Sequence, residues 1–392
     1  MKILVAHNYY QQPGGEDQVF AAETELLRSR GHDVETYVIH NDRVDEMSRL
    51  GLAAATLWNR ESHREITQIS SSFLPDVVHF HNTLPLISPA GYHAARACGA
   101  AVVQTLHNYR LICPGSLLMR EGTICEKCIE LAMKWPAVVH ACYRESAPAS
   151  AAVAGMLAMH ESAGTWSDVV DAYIALTGFA REKFVAGGLP VDRVHTKPNF
   201  TSTDPGTGAG KGGYALFVGR LSHEKGIQVL LEAWSRADIV MPLKVAGDGP
   251  MASAVSGAGG NVTWLGRISQ AEVYEQMKNA SLLVFPSTWY EGMPLTIIEA
   301  LACGTPVAAS NLGAMSEMIR HGNNGLHFRA GDAADLARAV NWAANHPEDL
   351  TLMRQRARTD YDRKYSASEN YDRLLSVYGA AIDRRHASKN AA

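Results

Sequence analysis

Short apolar runs rich in valine, isoleucine, leucine and alanine recur along the whole chain, each separated from the next by an amphipathic stretch long enough for a helix. No other feature limits the fold so strongly, because strand-length runs alternating with helical periodicity build βα units with parallel strands and helices on both faces. The predicted strands of the first set are 2–7, 34–39, 76–81, 101–106, 172–176 and 194–198. Those of the second are 214–218, 243–246, 262–265, 282–285, 307–309 and 325–328. Between the sets, 201–213 is rich in Gly, Ser, Thr and Pro without periodicity, which predicts a loop near a domain boundary, with Pro198-Asn199 as a hinge. At 392 residues the chain exceeds what one core usually supports. The expectation is an α/β protein of two Rossmann-like domains facing a cleft: 1–198, carrying an insertion at 113–145, then 199–365. A final helix over 366–392 should cross back to the first domain. It has Tyr371, Leu374, Leu375, Tyr378 and Ile382 at helical spacing, and a disordered tail is expected from His386.

The net charge of -4 leaves no electrostatic footprint for nucleic acid. The apolar start, Met1 to His7, is too short for a signal-peptide core, and the Ala-rich stretch 147–159 cannot span a bilayer. The chain therefore reads as cytoplasmic, with peripheral contact at the inner face of a membrane left open.

Open α/β sheets bind ligands outside the carboxyl ends of their strands. At such a position Phe217-Val218-Gly219-Arg220-Leu221-Ser222-His223-Glu224-Lys225-Gly226 leaves a strand and enters a helix. Gly219 lets the backbone turn tightly, and Arg220 and Lys225 bring cations that suit a pyrophosphate. Further on, Phe285-Pro286-Ser287-Thr288-Trp289-Tyr290-Glu291-Gly292-Met293-Pro294-Leu295 places Glu291 in a Gly-Pro loop, and Glu299 follows inside a helix. A carboxylate there can accept paired hydrogen bonds from a ribose diol. Gly304-Thr305-Pro306-Val307 then turns the chain into the next strand.

The Glu-x7-Glu motif, the Gly-Arg-Leu-x-x-x-Lys-Gly element and Ala300-x-x-x-Gly304-x-Pro306-Val307 together resemble glycosyltransferase family 4, over almost the whole chain. That resemblance implies the two-Rossmann GT-B fold, a nucleotide-diphosphate sugar donor and retention of anomeric configuration. It implies that Arg220 and Lys225 hold the diphosphate, Glu299 the ribose, and Glu291 the sugar, with Gly292, Met293, Pro294 and Leu295 against the donor. Gly247-Asp248-Gly249-Pro250 and Gly266-Arg267-Ile268 resemble loops around the nucleotide, Arg267 and Ile268 lining the base. In the first half, Gly14-Gly15-Glu16 follows the first strand without the Gly-x-Gly-x-x-Gly spacing of a dinucleotide site. The resemblance puts the loop of Gly14 and Gly15 near the donor phosphates and the acceptor, and Glu16 and His81 are further acceptor-side candidates. It makes His107 the sugar ligand that supports the transition state. His7, His79, His81 and His107 all fall at strand ends, and such convergence favours function over isolated core histidines. The acceptor implied is a saccharide or lipid-linked saccharide of polysaccharide or glycolipid assembly.

Asp360-Tyr361-Asp362 matches Asp-x-Asp but falls in a polar helix, and reads as a solvated charged face, so no catalytic metal is expected. Cys98 and Cys303 read as core fillers. The remaining cysteines, Cys113, Cys125, Cys128 and Cys142, supply the four thiolates that a tetrahedral structural zinc needs. Their flanking spacings are irregular for a zinc ribbon, so reduced thiols and redox-active pairs stay open beside zinc. Rival functions are a nucleotide-sugar epimerase or hydrolase on the same fold, and a non-catalytic sugar-nucleotide-binding protein.

Overall fold

The computed structural model describes residues 1–12, 14–236 and 238–390. It divides into two compact units. The first comprises Met1–Leu118, Cys125–Pro198 and the chain from Asn370 onward; the second comprises Met119–Ile124 and Asn199–Glu369.

The first unit is built on β1 (Lys2–Tyr9), β2 (Asp33–His40), β3 (Val77–Phe80) and β4 (Ala101–Leu106). After the small antiparallel hairpin β5 (Met119–Arg120) and β6 (Thr123–Ile124), the sheet is completed by β7 (Ala172–Ala175) and β8 (Val194–Thr196). The six strands pair in parallel in the order β2-β1-β3-β4-β7-β8. The order reverses beside β1, which places the switch point between the carboxyl ends of β1 and β3. Ile3, Val5, Val77, Val103 and Ile174 fill one face. The last helix, Ala367–Asn390, packs Leu374, Val377, Tyr378 and Ala381 into this same core. Tyr371, Leu375 and Ile382 lie at its margin, partly buried. This helix continues to Asn390, so the expected disorder from His386 is not found as far as that residue.

The second unit carries β9 (Ala215–Val218), β10 (Leu243–Ala246), β11 (Val262–Gly266), β12 (Leu282–Phe285), β13 (Val307–Ser310) and β14 (Gly325–Phe328). Its parallel order is β11-β10-β9-β12-β13-β14, the doubly wound arrangement with its switch point between β9 and β12. Phe217, Leu230, Trp234, Val245, Val284 and Phe328 lie in its core.

The Gly-rich stretch 201–213 is a loop next to the unit boundary, as expected, and it is fixed on the second unit. The amides of Gly208, Gly210 and Gly212 donate to the carbonyls of Cys303, Lys278 and Asn279 at 3.0, 3.0 and 2.9 Å. A Cβ on Gly208 would lie 2.2 Å from the Lys278 carbonyl oxygen, so this close approach needs glycine. One reading of the sequence changes here. Asp360, read as a solvated charge, is not one. It is buried, accepts from Arg320 Nη2 at 2.8 and 2.9 Å and from Asn324 Nδ2 at 2.9 Å. The helix Pro347–Lys364 turns Met353, Ala357, Asp360 and Tyr361 inward together, and the polar partners waiting there are what a sequence pattern does not reveal.

Candidate functional site

In the second unit the loops at the ends of β9, β10 and β11 are stitched by backbone hydrogen bonds. Gly219 N donates to Ala246 O, Gly247 N to Gly266 O and Leu221 N to Asp248 O. Gly247 has φ 137°, and a Cβ there would sit 1.9 Å from Gly219 O, so only glycine lets the first two loops lie so close. Thr288 N donates to Glu224 O at 2.9 Å and ties the loop after β9 to the loop after β12 across the switch point.

That junction brings together two of the charged residues expected from the sequence, Lys225 and Glu291. Lys225 Nζ donates to Glu291 Oε1 at 2.8 Å, and the same oxygen accepts from Ser287 Oγ at 2.6 Å and Trp289 Nε1 at 2.9 Å. Glu291 is buried, and Lys225 lies over the rings of Phe285 and Trp289, 5.8 and 5.5 Å from their centroids. These contacts fix the Lys225 ammonium by charge, hydrogen bond and aromatic faces together. Arg220, one residue beyond Gly219, is exposed. Ser287 and Trp289 were not singled out by sequence; their only signal was membership of the loop that carries Glu291.

Glu299 lies in the helix Leu295–Ala302 and accepts from Gln270 Nε2 at 2.8 Å. Burial pushes its carboxyl above the usual carboxylate range, opposed by that hydrogen bond. Gln270 opens the helix Gln270–Asn279 and comes from a part of the chain with no motif. Arg267 is exposed and Ile268 partly buried in the turn after β11. Gly292, Met293 and Pro294 lead into the helix that Leu295 begins. The Met293 side chain is already engaged, its sulfur taking the Asn199 amide at 3.2 Å.

In the first unit Gly14 caps the helix Gly15–Ser29 in an extended conformation, with nothing within 4 Å of where its Cβ would stand. Asp17 accepts from Gly14 N and contacts His7 Nε2, both at 2.7 Å, tying this turn to β1. Glu16 accepts from Tyr10 Oη at 3.0 Å and Asn108 Nδ2 at 2.8 Å, and burial raises its carboxyl. His107, just past β4, has its Nε2 3.0 Å from His81 Nδ1. His81 is buried, its other nitrogen 3.4 Å from Glu23, so the ring stands behind His107. His79 bridges Thr105 Oγ1 and the Tyr378 hydroxyl, both at 2.8 Å, and so reaches the last helix. Lys197, buried and unmarked by any motif, contacts the Glu23 carboxylate. Ligand-type atoms of Glu23, His79 and His81 lie within 4.8 Å of one another, but the Lys197 ammonium already meets that carboxylate where a metal would.

Burial holds His79 and His81 well below the ordinary histidine value of 6.5, with neighbouring cationic groups adding to it. The same causes bring His107 down to about 3. All three rings are therefore neutral in the fold. A group with a depressed folded pKa leaves the unfolded state binding more protons once pH falls below the unfolded value. Stability of this unit is expected to be constant above pH 6.5 and to fall below it, each histidine contributing up to about 1.4 kcal/mol per pH unit. Amide exchange in β3 and β4 measured from pH 7 downward checks this, and protection free energies that stay level as pH falls would refute it.

The four cysteines of the 113–145 segment lie in the first unit, Cys128 buried and the others partly buried. Cys98 and Cys303 end helices, Cys303 buried and Cys98 partly exposed.

Two doubly wound parallel sheets, each with a polar loop cluster at its switch point, define the GT-B fold. Residues 204–360 match the family model "Glycosyl transferases group 1". The chain is similar to the phosphatidyl-myo-inositol mannosyltransferase of Mycobacterium leprae, 26% identical over 394 residues covering 94% of each chain. It is 29% identical over 176 residues to an uncharacterized glycosyltransferase of Methanocaldococcus jannaschii, a match that spans 43% of this chain and only 45% of that relative. Among solved structures, Anabaena Alr3699/HepE in complex with UDP superposes with a TM-score of 0.69 at 17% identity, covering 97% of this chain and all of that one (100%). The chain is thus a GT-B protein related to glycosyltransferases.

Proposed function

We propose that this protein is a retaining glycosyltransferase that moves a sugar from a nucleotide-diphosphate donor to a hydroxyl acceptor. The observation that carries this is the pairing of Lys225 with buried Glu291 at the β9/β12 switch point, with Arg220 in the same loop after β9. As the acceptor hydroxyl attacks, negative charge grows on the departing diphosphate, and a phosphate oxygen takes the acceptor's proton. Arg220 and Lys225 are fixed cations for that charge, so the proposal calls on no catalytic metal. Glu291 faces the sugar, Glu299 holds the ribose and the 266–268 turn holds the base. Neutral His107, positioned by His81, hydrogen-bonds the sugar, while Gly14, Gly15 and Glu16 serve the acceptor side. The similarity to a mannosyltransferase named for a phosphatidylinositol acceptor supports a saccharide or lipid-linked acceptor, met at a membrane surface, in glycolipid or polysaccharide assembly. No helix among the described residues is long and apolar enough to cross a membrane.

Arg220→Ala and Glu299→Ala are each expected to weaken binding of UDP, or of whichever nucleoside diphosphate binds the wild type, by about 1.5–3 kcal/mol. Calorimetry that finds both affinities unchanged would remove the donor site from this unit. Turnover of the nucleotide sugar should require acceptor, and the product should keep the donor's anomeric configuration by NMR. Acceptor-independent turnover would favour the hydrolase or epimerase reading, and an inverted product would end the retaining mechanism.

A further inference from the structure

A neutral imidazole has one N–H and one bare nitrogen, so a hydrogen bond between two such rings holds a single proton and gives them opposite roles. His107 Nε2 and His81 Nδ1 are 3.0 Å apart, and both rings are neutral. Nothing within that pair decides which ring donates. The deciding group lies on the far side of His81, on the helix Gly15–Ser29, where no motif marks it. There His81 Nε2 faces Glu23 Oε2 at 3.4 Å, with both atoms buried and neither hydrogen-bonded to another described group. The Lys197 ammonium takes the other carboxylate oxygen, Oε1.

Two arrangements are open to this row. If His81 donated to His107 from Nδ1, its bare Nε2 would face the carboxylate. Two lone-pair atoms would then meet out of water with no proton between them, and both would stay unsatisfied. If His107 instead donates from Nε2 to His81 Nδ1, the His81 proton sits on Nε2 and points at Glu23. Each atom from Lys197 to His107 Nε2 then has a partner. At 3.4 Å the last contact is longer than an ideal hydrogen bond, so it orients the ring by charge as much as by bonding. A buried carboxylate selects the second arrangement, as the aspartate of a serine-protease triad selects the tautomer of its histidine. His107 is left with a bare Nδ1 that bonds to no other described residue. Its ring is 9% exposed and borders a cavity lined also by Thr83, Asn108 and Arg110.

We propose that Glu23 is a positioning residue that, through His81, fixes His107 in the Nε2–H tautomer, so that His107 Nδ1 meets its ligand only as a hydrogen-bond acceptor. The ligand group must bring its own proton. A hydroxyl does so; an ether, carbonyl or ionised phosphate oxygen does not. This rests on the proposed reading of His107 as the sugar ligand for one point alone, that the hydroxyl belongs to the donor sugar. The tautomer itself follows from the row Lys197–Glu23–His81–His107, all of it within the first unit.

The test uses the full chain at neutral pH with isotopically labelled histidine nitrogens, whose NMR shifts separate N–H from bare nitrogen in each ring. His81→Asn and His107→Asn assign the signals. The wild type should show Nε2–H and bare Nδ1 on both rings. Nδ1–H on His107 overturns the proposal, whether or not any variant folds. Glu23→Gln should turn the row round: its oxygen stays on Lys197, its amide donates to His81 Nε2, His81 donates from Nδ1, and His107 becomes an Nδ1–H ring. That variant should also lose turnover by at least about tenfold at saturating donor and acceptor, because the ring now offers the wrong hydrogen-bonding face. Unmoved tautomers in folded Glu23→Gln overturn the proposal, as does unchanged turnover after the reversal. The spectra need no sugar transfer, so the tautomer and the transferase reading can each fail alone.

Discussion

Lys197→Ala is expected to destabilise the first unit by about 3–5 kcal/mol, the usual cost of stranding one partner of a buried ion pair. Lys197 and Glu23 are 0% and 1% exposed, and His81 is the further group facing that carboxylate. Without the ammonium, Glu23 must either stay charged among neutral imidazoles or take up a proton. Both routes disturb the His79–His81–His107 row. Hydrogen exchange of β3 and β4 amides measures the opening free energy of this unit separately from the other. A loss under about 1 kcal/mol would show that the pair is not the charge balance of this core. Lys197→Met combined with Glu23→Leu should recover most of the loss, because an apolar pair of similar volume removes both desolvation costs.

Lys225→Ala is expected to lower turnover by about 10²–10³-fold at saturating donor and acceptor, the effect of removing one preorganised donor from a developing anion. The lysine side chain is mostly withdrawn from solvent, with its ammonium already aimed by Glu291, Phe285 and Trp289, so little reorganisation is needed when charge appears on the diphosphate. The fold should survive, since the side chain lies at the rim of the sheet rather than within its core. Steady-state rates with a nucleotide sugar, read against donor affinity from calorimetry, separate the two roles. A rate within about tenfold of wild type would make Lys225 a ground-state ligand only.

The polar residues show where sequence reading stops. Arg220, Lys225, Glu291 and Glu299 were singled out because each belongs to a motif that can be followed along the chain. Gln270 beside Glu299 and Ser287 beside Glu291 were not, since a hydrogen-bond partner need only be near in space. His81 was seen as one of a row of strand-end histidines. That it stands behind His107, between that ring and Glu23, depends on pairing strands distant in sequence. Asp360 was misread for the same reason: its helix looks polar, and the Arg320 and Asn324 groups that make burial affordable come from another loop.

The sequence by itself determined the architecture. Every strand predicted for the two large sheets is present, because apolar runs, helical periodicity and Gly-Pro turns act over a few residues and are written in order along the chain. The last helix was legible in the same way, from the spacing of Leu374 and Tyr378. The tertiary structure decided which strands became neighbours, and with that where the order reverses and which loops meet there. It also decided the charge states: burial, not residue type, makes His79, His81 and His107 neutral. Desolvation and pairing depend on what the folded chain brings within a few ångströms, and no local pattern in the sequence records that.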